Sequence, residues 1–236
     1  MLGTSQSPVP GTRSRVPWEL TPLGDAAVVI RVEDSLAGIL ALARKLEAAH
    51  IRGVVDIAPA FASVAIFFAS PEKRAQGTKT VQAILRGRNP LRRPERQPRL
   101  VEVPVCYEPE YGLDLEAVAQ VSRLSPHEIA LRHAAGKYRV RCVGFAPGFP
   151  YLEGLPKILA TPRRASPRVA VPAGSVAIGG TQTGVYPLSS PGGWNIIGRT
   201  PLRFFEAARE PAALCATGDH IRFVAITAAE FRRWEK

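Results

Sequence analysis

The spacing of apolar and polar positions divides the chain into two unlike halves. In the first, residues 26–32 (AAVVIRV) form an apolar run introduced by the turn-like Pro22-Leu23-Gly24-Asp25, and predict a buried strand. Leu36, Ile39, Leu40, Leu42, Ala43 and Leu46 then recur at helical spacing, with Asp34 or Ser35 placed to cap the helix and Gly53 just beyond its end. Residues 54–57 and 63–68 (SVAIFF) predict two further strands. A second helix is expected from about residues 72–76 towards Leu85, with Val81, Ile84 and Leu85 facing inward. Residues 99–105 (RLVEVPV) alternate like a half-exposed strand. Strand-helix-strand-strand-helix-strand is the order of a split βαβ, ferredoxin-like unit, unless the last strand belongs to the next domain.

The second half changes period. Residues 114–122 read as a short helix, and Ser125-Pro126-His127-Glu128 as the capped start of another, which ends before Gly136. That helix carries His133 near its C-terminus, where the helix dipole favours a protonated imidazole. Residues 138–143 (YRVRCV) are a strand. From there short β runs at 169–171, 175–178, 184–186, 194–197 and 221–225 alternate with Gly/Pro turns, as in a sandwich or barrel, and residues 228–234 close as a short helix. The densest Gly/Pro punctuation falls in residues 144–200, through GFAPGFPYLEGLP, VPAGSVAIGGTQTGVYP and SSPGGWNIIGRTP. Phe145, Phe149, Tyr151, Tyr186 and Trp194 sit at its loop tips, with Gln182, Arg163 and Arg199 as polar handles. The mixture suits either a tightly turned scaffold or a concave site walled by rings with few polar groups.

Composition adds bounds. The chain has 236 residues, 46% hydrophobic and 22% charged, as in a soluble globular protein of one large or two small domains. A net charge of +11 invites a polyanionic partner. However, Arg86, Arg88, Arg92, Arg93, Arg96 and Arg99 crowd around Pro90, Pro94 and Pro98, which reads as a solvated linker or a docking surface for an acidic protein. No nucleic-acid-binding pattern stands beside it, so nucleic acid is not the favoured partner. Cys106, Cys142 and Cys215 lack C-x-x-C spacing, which argues against disulfides and a zinc site and favours a reducing, cytoplasmic setting. No apolar run reaches membrane-spanning length, and residues 1–17 read as a leader without a fold of its own.

Among chemical motifs, a Walker A loop and a G-x-S-x-G elbow are missing, and the four histidines are too dispersed for an evident metal site. Two residues remain as catalytic candidates. His133 can move a proton or donate to an oxyanion, or simply be a structural histidine, and Arg199 can fork onto a carboxylate or phosphate, or form a salt bridge. The substrate-binding candidates are Phe145, Tyr151 and Trp194 for stacking, Gln182 and Tyr186 for neutral hydrogen bonds, and the Gly192 and Gly193 amides as an anion nest.

At the three Gly/Pro motifs the chain resembles the PxpB/KipI family, the first-subunit relatives of allophanate hydrolase. VPVCYEPEYGLDL (103–115), the spacing of His133 and Tyr138, and Ala216-Thr217-Gly218-Asp219 support the resemblance from about Thr21 onward. Leu113 stands where the family usually has Pro, and residues 1–16 have no counterpart. The resemblance implies an N-terminal α/β domain and a C-terminal cyclophilin-like β-barrel, here residues 18–98 and 99–236, with no prolyl isomerase activity inferred from the shape. It also implies a subunit of ATP-dependent 5-oxoprolinase, which opens 5-oxoproline to glutamate with ATP as co-substrate, alongside PxpC-type and PxpA-type subunits. The alternative it implies is a KipI-like inhibitor of a sensor histidine kinase. The same domain pair occurs in biotin-dependent urea carboxylases, but this chain has no biotin-carrier segment.

Overall fold

An N-terminal hairpin begins the first sheet. Strands β1 (Trp18–Leu23) and β2 (Ala27–Val32) pair in register from Trp18 opposite Val32 to Leu23 opposite Ala27. Helix α1 (Leu36–Ala48), strands β3 (Val54–Ala60) and β4 (Ser63–Phe68) and helix α2 (Pro71–Arg86) come next along the chain. The sheet is antiparallel throughout, in the order β1-β2-β4-β3. The computed structural model describes residues 18–32, 36–87 and 97–234. The expected leader, the Asp34/Ser35 cap and Arg88, Arg92, Arg93 and Arg96 lie outside the described residues.

Both helices bury one face on this sheet. Ile39, Ala43, Leu46 and Val81 pack on Val28, Ile30, Val64, Ile66 and Phe68, as the helical and alternating spacings anticipate. Helix α2 starts at Ser70, whose hydroxyl accepts the Lys73 amide, with Pro71 as its first residue. Gly77 lets it lie close to the sheet, since a Cβ there would overlap the Phe68 ring. The strand Leu100–Cys106 joins the second domain's barrel, the alternative that the sequence left open, and β1, which the apolar spacing does not reveal, takes the sheet edge beside β2. WELTPL has a proline and two polar residues in six, too weak a pattern to mark an edge strand.

The second domain opens with β5 (Leu100–Cys106), then α3 (Leu115–Ser122), α4 (Pro126–Ala134), β6 (Tyr138–Val143), β7 (Pro150–Glu153), β8 (Arg168–Val171), β9 (Ser175–Gly179), β10 (Gln182–Val185), β11 (Ser190–Gly192), β12 (Asn195–Arg199), β13 (His220–Ile226) and α5 (Ala228–Trp234). Seven strands close into a barrel in the order β10-β7-β6-β13-β5-β12-β9, with β9 returning to β10, while β8 and β11 form a side ribbon. First and last barrel strands run parallel, from Leu100 beside His220 to Cys106 beside Ile226. Asp219 secures that pairing: its buried carboxylate accepts the Arg99 amide and guanidinium at 3.0 and 3.2 Å. Helix α4 carries the expected capping box, with Ser125 and Glu128 satisfying each other's amides. The interior is apolar, from Val103 and Val105 through Val140, Leu152, Val176, Ile178 and Ile197 to Phe223.

The two domains meet at the β3–β4 turn. Phe61 at its tip has φ +44°, its carbonyl accepts a hydrogen bond from Arg141 at 3.0 Å, and its ring packs edge-on against Tyr151 of β7. The protein is thus a mixed α/β molecule with a closed seven-stranded barrel. Among the described residues no helix is long and apolar enough to cross a membrane.

Candidate functional site

The Gly/Pro stretch builds a cavity on the outside of the barrel. Phe149, Tyr151, Tyr186 and Trp194 interlock edge to face, with ring centroids 4.9–5.8 Å apart. Glycines make the room. A Cβ at Gly179 would overlap the Trp194 ring, one at Gly192 the Tyr186 hydroxyl, and one at Gly184 would sit 2.9 Å from Phe149. The repeated glycines of IGGTQTGVYP and SPGGW are therefore spaces for rings as much as turn residues.

The rings wall a cavity of about 290 Å³ lined also by Phe145, Arg163, Arg164, Pro167, Pro191, Gly192 and Gly193. Phe145 stands at its mouth, 66% exposed and held at φ +69°, a backbone state costing a bulky side chain on the order of 1–3 kcal/mol. Its ring packs edge-on against Phe149, with centroids 5.6 Å apart. The Arg163 guanidinium lies 5.9 Å from the Trp194 ring centroid and has no ion-pair partner among the described residues. Burial pushes the phenols of Tyr151 and Tyr186 up, so both remain protonated at neutral pH.

Asp114, inside the 103–115 motif but not among the candidate site residues, positions this wall. The carboxylate is 4% exposed and accepts hydrogen bonds from Arg164 (2.6 Å), Arg168 (2.7 and 2.8 Å) and the Ile196 amide (2.8 Å). Burial pushes its pKa up, but the Arg168 and Ile196 hydrogen bonds and both guanidinium charges outweigh that and hold it below the usual carboxylate range. The loop carrying Arg163 and Arg164 is thus fastened to the start of α3 and to β12. Asp in YGLDL looks like a helix start; its partners lie fifty residues away or more, beyond any local pattern.

Phe145, Tyr151, Tyr186, Gly192, Gly193 and Trp194 come together as anticipated. Three other candidates do not join them. Gln182 opens β10 and is half-buried outside the cavity. Arg199 ends β12, five residues beyond Trp194, and lines a different cavity. At about 3.3 Å per strand residue the two lie roughly 16 Å apart, too far for one small ligand.

His133 sits as the structural histidine that its sequence reading held open. It is buried in the barrel interior, stacked on Phe223. The Tyr107 hydroxyl lies 2.8 Å from Nδ1 and the Thr183 hydroxyl 3.0 Å from Nε2. Thr183 donates its own proton to the Ala177 carbonyl at 2.9 Å, so it accepts from Nε2–H, and Nδ1 accepts from Tyr107. This chain of donors specifies the neutral tautomer. Burial pushes the imidazole down to about 3, which overrides the dipole expectation. Both nitrogens are committed, and water does not reach them.

Residues 18–215 match the family model of the carboxyltransferase domain, subdomain C and D. The chain is 39% identical to the 5-oxoprolinase B subunit of Bacillus subtilis (strain 168), across 94% of this chain and 98% of that one. It is 41% identical to the 5-oxoprolinase B subunit of Escherichia coli O157:H7, across 86% and 93%. Among solved structures, TTHA0988 superposes with a TM-score of 0.71 at 33% identity, covering 86% of this chain, which spans 40% of that longer one. The Kluyveromyces lactis urea carboxylase has the same TM-score of 0.71 over 92% of this chain and 22% of its own, and at 18% identity it shares the fold.

Proposed function

The chain belongs to the carboxyltransferase subdomain C and D family, among the 5-oxoprolinase B subunits, and from that membership we propose that it serves as the PxpB subunit of an ATP-dependent 5-oxoprolinase. In this reading the first domain is of ferredoxin-like type with β1 as its fourth strand, and the barrel is cyclophilin-like. PxpC-type and PxpA-type subunits complete a cytoplasmic enzyme. The reaction opens 5-oxoproline to L-glutamate. The terminal phosphoryl group of ATP passes to the lactam oxygen, water adds to the carbon, the C–N bond breaks with its nitrogen taking a proton, and phosphate leaves.

One observation on this chain carries the assignment of the site. An aromatic cavity of about 290 Å³ has at its wall an arginine without an ion-pair partner among the described residues, which fits a small flat ring bearing one carboxylate. Arg163 would hold the carboxylate, Trp194 and Tyr151 would flank the ring, and the Gly192–Gly193 backbone would face the carbonyl. His133 has no part in this arrangement except to hold the barrel wall behind it.

Reconstitution tests the proposal. The protein is mixed with PxpC-type and PxpA-type subunits, 5-oxoproline and ATP, and glutamate and phosphate are measured. Turnover is expected, with Arg163→Ala raising KM for 5-oxoproline at least ~10-fold, the loss of one charge-assisted pair. A complete set of folded subunits without turnover would sink the assignment and turn attention to the kinase-inhibitor alternative.

A further inference from the structure

We propose that the protein has a second small-molecule site, specific for an oxyanion (a phosphate or carboxylate group), built around Arg199 and Arg203 at the far end of β12. The site is a cavity of about 360 Å³ lined by Ala173, Gly174, Arg199, Thr200, Arg203, Phe231 and Trp234 among others. Two arginines face it and none of its lining residues is acidic.

Arg199 is held in place rather than left free. Its Nε donates to the Ala173 carbonyl at 2.9 Å, and its guanidinium carbon lies 5.9 Å from the Phe231 ring centroid. Fixing Nε and one face leaves the terminal nitrogens as a fork, and among the described residues no acceptor engages them. A planar fork of this kind matches two oxygens of a carboxylate or phosphate. Gly174 shapes the floor. Its φ is +80°, and a Cβ there would overlap the Thr200 carbonyl and sit 3.5 Å from Arg199 Cγ, so only glycine lets the two loops close beneath the arginine. Arg203 is exposed on the adjoining loop, and Trp234, 58% exposed at the end of α5, offers an unused ring at the rim. The cavity therefore combines a positioned fork, a second cation and an apolar edge. The loop of residues 200–203 and helix α5 come from distant parts of the chain, so the site exists only in the folded barrel.

This site shares no lining residue with the aromatic cavity. Inorganic phosphate and acetate are titrated into the full-length protein at constant ionic strength, followed by calorimetry and by Trp fluorescence. Saturable one-to-one binding of either anion is expected, with the two arms showing which oxyanion is preferred. Arg203→Ala and Arg199→Lys, which keeps the charge but loses the fork, should each weaken binding at least threefold, and Arg199→Ala at least tenfold. Trp234→Phe should abolish the fluorescence change while calorimetry still reports binding, and Arg163→Ala should leave the affinity unchanged. Non-saturating titrations with both anions, or saturation that Arg199→Lys and Arg203→Ala leave intact, would overturn the proposal.

Discussion

Single residues here act through what they are buried against. His133 shows the consequence most clearly, because a histidine that titrates in the unfolded chain near its ordinary 6.5 is held neutral down to about 3 in the fold. The sign is direct. Below pH 6.5 the unfolded state binds the proton and the native state does not, so the stability present above 6.5 is lost as pH falls towards 3, at about 1.4 kcal/mol per pH unit. Urea unfolding at pH 7, 6 and 5 should show that loss, and His133→Gln, weaker at pH 7, should show a shallower slope. Equal slopes would mean that His133 is not the group responsible. Asp114 teaches the complementary lesson. A buried carboxylate under two arginines fastens a loop to a helix start, and removing one partner of such a set typically costs about 3–5 kcal/mol.

At the scale of elements, the barrel strands β9 and β10 do two jobs at once, with Gly192 of the side ribbon sharing the first. Their outward glycines clear the volume that Trp194, Phe149 and Tyr186 fill, while inward Val176, Ile178 and Val185 pack the barrel. Gly179→Ala puts a methyl into the Trp194 ring and should cost about 1–3 kcal/mol as overpacking. It should also shift Trp fluorescence and weaken ligand binding in the aromatic cavity, while the barrel's far-UV signal stays unchanged. An unaltered Trp signal would show that the ring is not pinned there. The glycine-rich motifs are legible in the sequence as a special stretch, but not the reason for each glycine. Turn and space-making glycines look identical until the facing ring is known. The strands Trp18–Leu23, Pro150–Glu153 and Ser190–Gly192 escape a sequence reading for a related reason: each is short or proline-bearing, and pairing rather than pattern makes it a strand.

For the whole molecule, two separate cores are joined through contacts that include the β3–β4 turn and Leu40 beside Gly218. Ile30, Ile39 and Ile66 belong to one, Val140, Ile178 and Phe223 to the other, and Phe61, Tyr151 and Arg141 form the bridge at that turn. Calorimetry should therefore record two unfolding transitions, or a calorimetric enthalpy above the van't Hoff value, spread further apart by Phe61→Ala. A single two-state transition in both proteins would show the domains to be one cooperative unit. The bridge also places the first domain's turn beside the aromatic cavity, so that domain can report on the site without lining it.

Local sequence alone marked the helices Leu36–Ala48, Pro126–Ala134 and Ala228–Trp234, most but not all of the strands that form each core, and the Gly/Pro motifs that mark the family. These are local properties, set by side-chain spacing and capping within a few residues. Tertiary structure alone decided the rest. It placed Trp18–Leu23 at the edge of the first sheet, buried His133 beyond the reach of solvent, joined Asp114 to Arg164 and Arg168, and sent Arg199 and Trp194 to different cavities. Each of those outcomes depends on which strand lies beside which, and on the burial that pairing creates. A helix dipole or a charged side chain can be read one residue at a time, but whether water reaches it is settled only when the barrel closes.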